Sequence, residues 1–209
     1  MKRLVIPSVA ILVTVIVLAC GDLTEADQRY NEGVDAHEDG QLDEAVTLYT
    51  EAIELDPELV DAYINRSVAY SDLGRLEEAL ADDTKAIELE PSDVEVLAQV
   101  YINRSLDYYD LGRLEEASAD AIRAIELEPS DVEILARAYV ARSAAYGDLG
   151  RIEESIADAT IAIELEPSDV ELLGRAYVNR ALDLAILGRL EEADADFDKA
   201  CELGLADAC

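Results

Sequence analysis

Gly74-Arg-Leu-Glu-Glu-Ala-Leu-Ala-Asp-Asp-Thr-Lys-Ala-Ile-Glu-Leu-Glu-Pro91 is the stretch whose reading decides the fold. Leu76, Ala79, Ala86 and Leu89 recur at helical spacing, which predicts one apolar stripe on an otherwise charged helix. Gly74 suits the end of a preceding helix, because glycine reaches positive φ without a Cβ clash. Pro91 stops the helix, since proline lacks an N–H and disfavours helix in the residue before it. So short an apolar stripe needs a partner to cover it.

The same segment returns as Gly40-Gln-Leu-Asp-Glu-Ala45, Gly112-Arg-Leu-Glu-Glu-Ala117, Gly150-Arg-Ile-Glu-Glu-Ser155 and Gly188-Arg-Leu-Glu-Glu-Ala193. A second series is Pro57, Pro91, Pro129 and Pro167. A third is Tyr63-Ile-Asn-Arg-Ser67, Tyr101-Ile-Asn-Arg-Ser105, Tyr139-Val-Ala-Arg-Ser143 and Tyr177-Val-Asn-Arg-Ala181. Each unit therefore reads as a first helix ending at Gly and a second ending at Pro. Units of this kind bury their apolar faces only by stacking in a row. The composition agrees: 51% of the 209 residues are hydrophobic but only 5% aromatic, a mix that suits packed helices better than sheets.

These marks resemble the tetratricopeptide repeat family over residues 26–204. In the first unit the family's positions fall on Gly33, Ala36, Gly40, Ala45, Tyr49, Ala52 and Pro57; in the second, on Tyr63, Ser67, Tyr70, Gly74, Ala79, Ala86 and Pro91. The resemblance implies an all-α fold, a right-handed α-α superhelix of five helix-turn-helix repeats. Their bounds are about 26–59, 60–93, 94–131, 132–169 and 170–204, followed by a short C-terminal segment to 209. Asp83, Ala121 and Ala159 stand where the family usually has an aromatic, and the fifth unit reads Gly204 in place of its Pro.

Units three to five carry four extra residues before the Tyr, close to one helical turn. Ser92-Asp-Val-Glu95, Ser130-Asp-Val-Glu133 and Ser168-Asp-Val-Glu171 have the pattern of capping boxes, so the first helix is expected to start one turn early. Val94, Val96 and Leu97 and their counterparts would then extend the packed seam.

Arg66, Arg104, Arg142 and Arg180 share one position of the first helix, and Asp82, Asp120, Asp158 and Asp196 one position of the second. The first unit has Glu32 and Leu48 instead, so both positions change together. This predicts structural Arg–Asp bridges, within a unit or to its neighbour, because a buried charge needs its partner. An arginine ladder that binds an acidic ligand is the functional alternative.

The amino-terminal end is a separate object. Met1-Lys-Arg3 is a positive head, Leu4 to Ala19 is almost wholly apolar, and Cys20 closes the run. These are the marks of an export signal, too short for a comfortable membrane span. Val17-Leu-Ala-Cys20 resembles the lipobox of bacterial lipoproteins, which implies cleavage after Ala19 and acyl chains on Cys20; an uncleaved signal anchor or a plain secretory signal is the alternative. Residues 1–19 are then a signal peptide, 20–25 a lipidated tether and 26–209 the solenoid. The expected place is an envelope membrane, facing the periplasm from the outer membrane if the source is Gram-negative.

Cys201 and Cys209 remain, an even pair in an exported chain, and a helix end with a turn at Gly204 can bring them together. Ala200-Cys-Glu-Leu-Gly-Leu-Ala-Asp-Ala-Cys209 resembles the Sel1-like repeats, which implies that the two are bridged. Two free thiols are the alternative.

With 16 Lys and Arg against 48 Asp and Glu, the net charge is −32, which excludes nucleic acid as a partner. No catalytic constellation, cofactor loop or metal site is read. His37 is the only histidine and is expected to be solvated; Asp194-Ala-Asp-Phe-Asp198 lacks the glycine and distal Glu of a calcium loop.

The function expected is a scaffold that holds a protein or peptide segment, with a structural or self-associating lipoprotein as the alternative. By resemblance, the groove residues are Tyr30, Val34, Ile64, Asn65, Val68, Ile102, Asn103, Leu106, Tyr109, Val140, Ala144, Val178, Asn179 and Leu182. Arg137 and Arg175 would add a basic spot. The carboxylate clamp of some relatives is missing, since Ile64 and Val68, or Ile102 and Leu106, hold its positions. An apolar or helical segment is therefore the expected ligand.

Overall fold

The structure, a computed structural model, describes residues 23–205 and 208–209. The expected signal segment, residues 1–19, and Cys20 lie outside the described residues. Ten helices follow one another, and no strand occurs among the described residues. They form five antiparallel pairs: α1 (Glu25–Glu38) with α2 (Leu42–Leu55), α3 (Val60–Asp72) with α4 (Leu76–Glu88), α5 (Val94–Asp110) with α6 (Leu114–Glu126), α7 (Val132–Asp148) with α8 (Ile152–Glu164), and α9 (Val170–Ile186) with α10 (Leu190–Glu202). Each helix packs against the next in the chain, and first helices also touch first helices. Every first helix ends as at Gly74, whose φ is +71° and whose turn is closed by Arg75 N–H donating to Tyr70 O at 2.8 Å.

The interior is mostly alanine. Ala45, Ala52, Ala62, Ala79, Ala86, Ala98, Ala117, Ala124, Ala136 and Ala162 are all fully buried, so helices approach closely. Bulk is traded across the two helices of a pair. In the first unit Tyr49 fills the interior and Gly33 makes room; a Cβ on Gly33 would lie 2.7 Å from the Tyr49 ring. In the third and fourth units the same two places hold Ser105 with Ala121 and Ser143 with Ala159.

The extra turn is helical: α5, α7 and α9 have 17 residues against 13 in α3. As a result α7 contacts α5 and α9 over more of its length than α3 contacts α1 or α5. Two details differ from expectation. Val94, Val132 and Val170 stay exposed, because the added turn turns them outward; Val96 and Leu97 are half-buried and Leu172 is buried. The serines do not cap the helices. Asp93, Asp131 and Asp169 are the N-caps, each accepting two backbone N–H groups, and Glu95 and Glu133 work between units while Glu171 pairs with Arg175 of its own helix. Ser130 donates from its N–H and Oγ to Glu95 Oε1 at 3.1 and 2.6 Å, and Ser168 does the same to Glu133 Oε1 at 2.5 and 2.5 Å.

Each Arg–Asp pair lies inside one unit and is bidentate. Arg66 Nε and Nη2 donate to Asp82 at 2.7 and 2.7 Å, Arg104 to Asp120 at 2.6 and 2.9 Å, Arg142 to Asp158 at 2.7 and 2.7 Å, and Arg180 to Asp196 at 2.7 and 2.8 Å. The third guanidinium nitrogen reaches back to the previous unit, onto Thr50, Thr84 and Thr160. At the fourth unit that place is Ile122, and Arg142 lacks the bond. Tyr63 and Tyr70 flank Arg66 with centroids 5.7 Å from its Cζ, and the pattern repeats at Arg104 and Arg142. Each guanidinium is thus held bidentately by its own aspartate, which favours the structural reading of the series over a ladder for an acidic ligand.

The array is closed at its carboxyl end by a disulfide between Cys201 and Cys209, with Cα atoms 5.2 Å apart. Closing so short a loop contributes about 2–3 kcal/mol in the chain-entropy account. Gly204, at φ +98°, occupies the place of Glu90, Glu128 and Glu166, which hold φ of 50–51°. Leu205, not Gly204, therefore stands where the terminal proline would be. It packs on the α9 backbone, where a Cβ on Gly174 would lie 2.3 Å from Leu205 Cδ1.

Removing Arg104 leaves Asp120 buried without a counter-charge. Arg104→Ala is expected to lower stability by about 3–5 kcal/mol, read from the urea midpoint of unfolding. A loss under about 1 kcal/mol would show that the pair is not structural.

Candidate functional site

The inner faces of the first helices carry the candidate site, and the structure divides the expected groove residues in two. In the first two units they are used by the fold. Tyr30 and Val34 pack with Ala36, Ala45, Tyr49 and Ala69, and Tyr30 OH accepts a hydrogen bond from Asn65 Nδ2 at 3.0 Å. Ile64 packs beside Tyr63, Ala86 and Val100, and Val68 is half-buried. Ile102 is a core residue, not a groove residue. It is 0% exposed, among Ala98, Ala124 and Ala138, because the added turn brings α5 and α7 together there. Val140 is nearly buried in the next such cluster but still edges the cleft.

In the last three units a cleft of 720 Å³ runs along the inner wall. Leu106, Tyr109, Val140, Ala144, Val178 and Asn179 line it, and the closing Leu203-Gly-Leu205 segment forms its far end. Asn103 lines a second, smaller hollow next to it, with its Oδ1 accepting from Gln99 Nε2 at 2.7 Å. Leu182 lines a third, of 540 Å³, around Asp183. Leu106 and Leu182 are 41% and 53% exposed, unusual for leucines on a charged protein. Arg137 and Arg175 do not make a basic spot. Arg137 bonds Gln99 at 3.3 Å and approaches Asp169 at 3.9 Å, and Arg175 pairs with Glu171 at 2.6 Å.

Buried acids between the helices set the local electrostatics, and the sequence does not mark them as a group. Asp83 is fully buried, and neither its carboxyl oxygens nor Ser67 Oγ has a partner in hydrogen-bonding geometry. Burial pushes the Asp83 carboxyl up to about 8, against the opposing influence of Ser67; the nearby Asp107 adds to the rise. Burial likewise raises Asp107 to about 6, although Ser71 Oγ donates to its Oδ1 at 2.7 Å. Asp183 is raised for the same reason. Tyr109 is pushed up to about 12 by burial and by Asp148, to which its hydroxyl donates at 2.7 Å. His37 is not free in solvent either: its Nε2 lies 3.0 Å from Asp72 Oδ2 in the next unit. The departure of Asp83 from the family's aromatic was the one signal in the sequence that pointed to these acids.

Among the described residues no group of three or more His, Cys, Asp or Glu side chains is placed to hold a metal, and no helix is long and apolar enough to cross a membrane.

Comparison with known proteins matches the TPR repeat at residues 33–74 and the tetratricopeptide repeat at residues 60–93, 98–131, 136–169 and 174–203. A sequence comparison with curated proteins finds no match. Among solved structures, MamA protein is similar at 23% identity and a TM-score of 0.69, covering 85% of this chain and 91% of that one. MamA 41-end from Desulfovibrio magneticus RS-1 is similar at 17% identity and a TM-score of 0.72, covering 87% and 97%. YrrB, described as a TPR protein with an unusual peptide-binding site, is similar at 20% identity and a TM-score of 0.64, covering 87% and 88%. At these identities the likeness is one of fold.

The raised carboxyl of Asp83 makes stability depend on pH. The folded chain binds one more proton than the unfolded chain between about 3.8 and about 8, so stability falls as pH rises through that window, by at most about 1.4 kcal/mol per pH unit. Asp83→Asn cannot ionise. Its melting temperature relative to the parent is therefore expected to rise from pH 4.5 to pH 8. A difference that stays constant across that range would contradict the burial argument.

Proposed function

Because the chain belongs to the tetratricopeptide repeat family, we propose that it is a non-catalytic interaction scaffold on a bacterial envelope membrane, gripping a polypeptide segment along the inner wall of its last three units. The observation that carries this reading is the 720 Å³ cleft whose wall leaves Leu106 beside Tyr109, Val178 and Asn179. Apolar side chains there give a segment area to bury, and the Asn179 amide and Tyr109 hydroxyl supply direction. The peptide-binding site of YrrB is a precedent on a similar fold.

In this reading the anchor is Cys20, carrying acyl chains at the end of the signal segment. Electrostatics would not hold a chain of net charge −32 on anionic lipid, so acylation has to supply the attachment. Four residues separate Cys20 from the first helix at Glu25, which keeps the array near the bilayer surface.

A second reading, self-association, is favoured by one feature. Ile186, Leu187 and Leu190 stand exposed together at the turn of the fifth unit.

A photo-crosslinking residue placed in the full chain at Leu106 or Leu182 is expected to capture a second polypeptide in the envelope. The same residue at Ile161, exposed on α8, is the control. Capture at multiples of the chain's own mass would favour self-association, and equal capture at all three places would end the groove reading. Cys20→Ser is expected to move the protein from the membrane to the soluble fraction; unchanged sedimentation with membranes would remove the anchor.

A further inference from the structure

One position of the first helix hydrogen-bonds to the next unit, with a different donor each time. At the first joint His37 Nε2 meets Asp72 Oδ2 at 3.0 Å. At the second Ser71 Oγ donates to Asp107 Oδ1 at 2.7 Å, and at the third Tyr109 OH donates to Asp148 Oδ2 at 2.7 Å. At the fourth joint that position is Gly147, which has no side chain to donate.

The acceptor is still present. Asp183 stands in α9 where Asp107 stands in α5 and is 3% exposed; the Oδ2 of both carboxylates lacks a partner, but Asp183 also lacks the serine that holds Asp107 Oδ1. A Cβ on Gly147 would lie 3.3 Å from Asp183 Oδ1, so the missing side chain is missing directly beside the carboxylate. Ser155 is close, but its hydroxyl donates to Ser143 O at 2.7 Å. Arg180, on the same helix, is spent on Asp196. The 540 Å³ hollow next to Asp183 is bordered by Asp148, Asn179, Leu182 and Ile186, the last two 53% and 67% exposed.

We propose that Asp183 and Asp148 form a pocket that takes a lysine or arginine side chain of the bound segment, with Leu182 and Ile186 receiving an apolar neighbour of that residue. This rests on the groove reading above and adds to it the chemistry of the partner. A buried acceptor without a donor is costly, and a charged donor satisfies it best. The long aliphatic stem of lysine or arginine lies against Leu182 and Ile186 while its head reaches the carboxylates. The strongly acidic surface steers a basic segment to the site. Two carboxylates are too few to hold a divalent ion with protein ligands alone, in keeping with the lack of a larger ligand cluster among the described residues.

The test uses the full chain, isotope-labelled, and two probes: acetyl-Gly-Leu-Lys-Leu-Gly-amide and the same peptide with norleucine in place of lysine. The lysine peptide is expected to shift the amide signals of Gly147 and Asp183 and to bind about tenfold more tightly than the norleucine peptide. Asp183→Asn should erase that preference. Gly147→Ser supplies the hydroxyl that Ser71 supplies at the second joint. It should raise the melting temperature more than Gly147→Ala does, and weaken the lysine peptide. Equal affinity of the two peptides for the unaltered chain overturns the cation pocket and leaves the groove reading standing. No shift with either peptide overturns both. Shifts at these amides with calcium chloride but not with the lysine peptide overturn the pocket in favour of a metal site.

Discussion

An alanine stripe is a weak source of burial. Each methyl removed from water contributes about 1 kcal/mol, so a pair of thirteen-residue helices lined with alanine cannot offset the entropy of ordering its own backbone. What it can do is approach its neighbours closely and share every buried face with the units on either side. The consequences run through the whole molecule. Stability belongs to the row and not to the unit, and bulk added at one place must be removed at the facing place, as Tyr49 and Gly33 show.

Close approach also explains the arginine–aspartate pairs. Small side chains pack well but specify little, because alanine on alanine fits at many registers. A bidentate guanidinium–carboxylate contact fits at one. The third nitrogen of Arg66, Arg104 and Arg180 then ties that register to a threonine of the unit before. The flanking tyrosines shield the pair from water, which raises both its strength and the penalty for losing one partner. Charge here sets the geometry, and alanine fills it.

The same packing creates the inner wall. The extra turn of α5, α7 and α9 buries Ile102 and nearly buries Val140, and it moves the open cleft toward the carboxyl end, where Leu205 and the disulfide close it. Buried aspartates line the joints between units, and burial raises the carboxyls of Asp107 and Asp183. Asp107 faces a serine and Asp183 a glycine. A one-residue change at equivalent positions thus removes the donor that holds one carboxylate oxygen of Asp107 and leaves Asp183 without it.

The sequence by itself determined the number of units, the helix ends at glycine, the length of the added turn and the pairing of arginine with aspartate. Each of these is a local or strictly periodic feature, and periodicity repeated five times leaves one arrangement. The structure alone decided that the bridges close within a unit, that Asp93 and not Ser92 caps α5, that Glu95 reaches the serine of the next unit, and that Ile102 is core. These depend on the rise and rotation from one unit to the next. That screw relation is a property of how side chains interlock across a joint, and no spacing along the chain encodes it. Which acids lie unpartnered follows from the same relation, so the candidate pocket at Asp183 was visible only once the units were stacked.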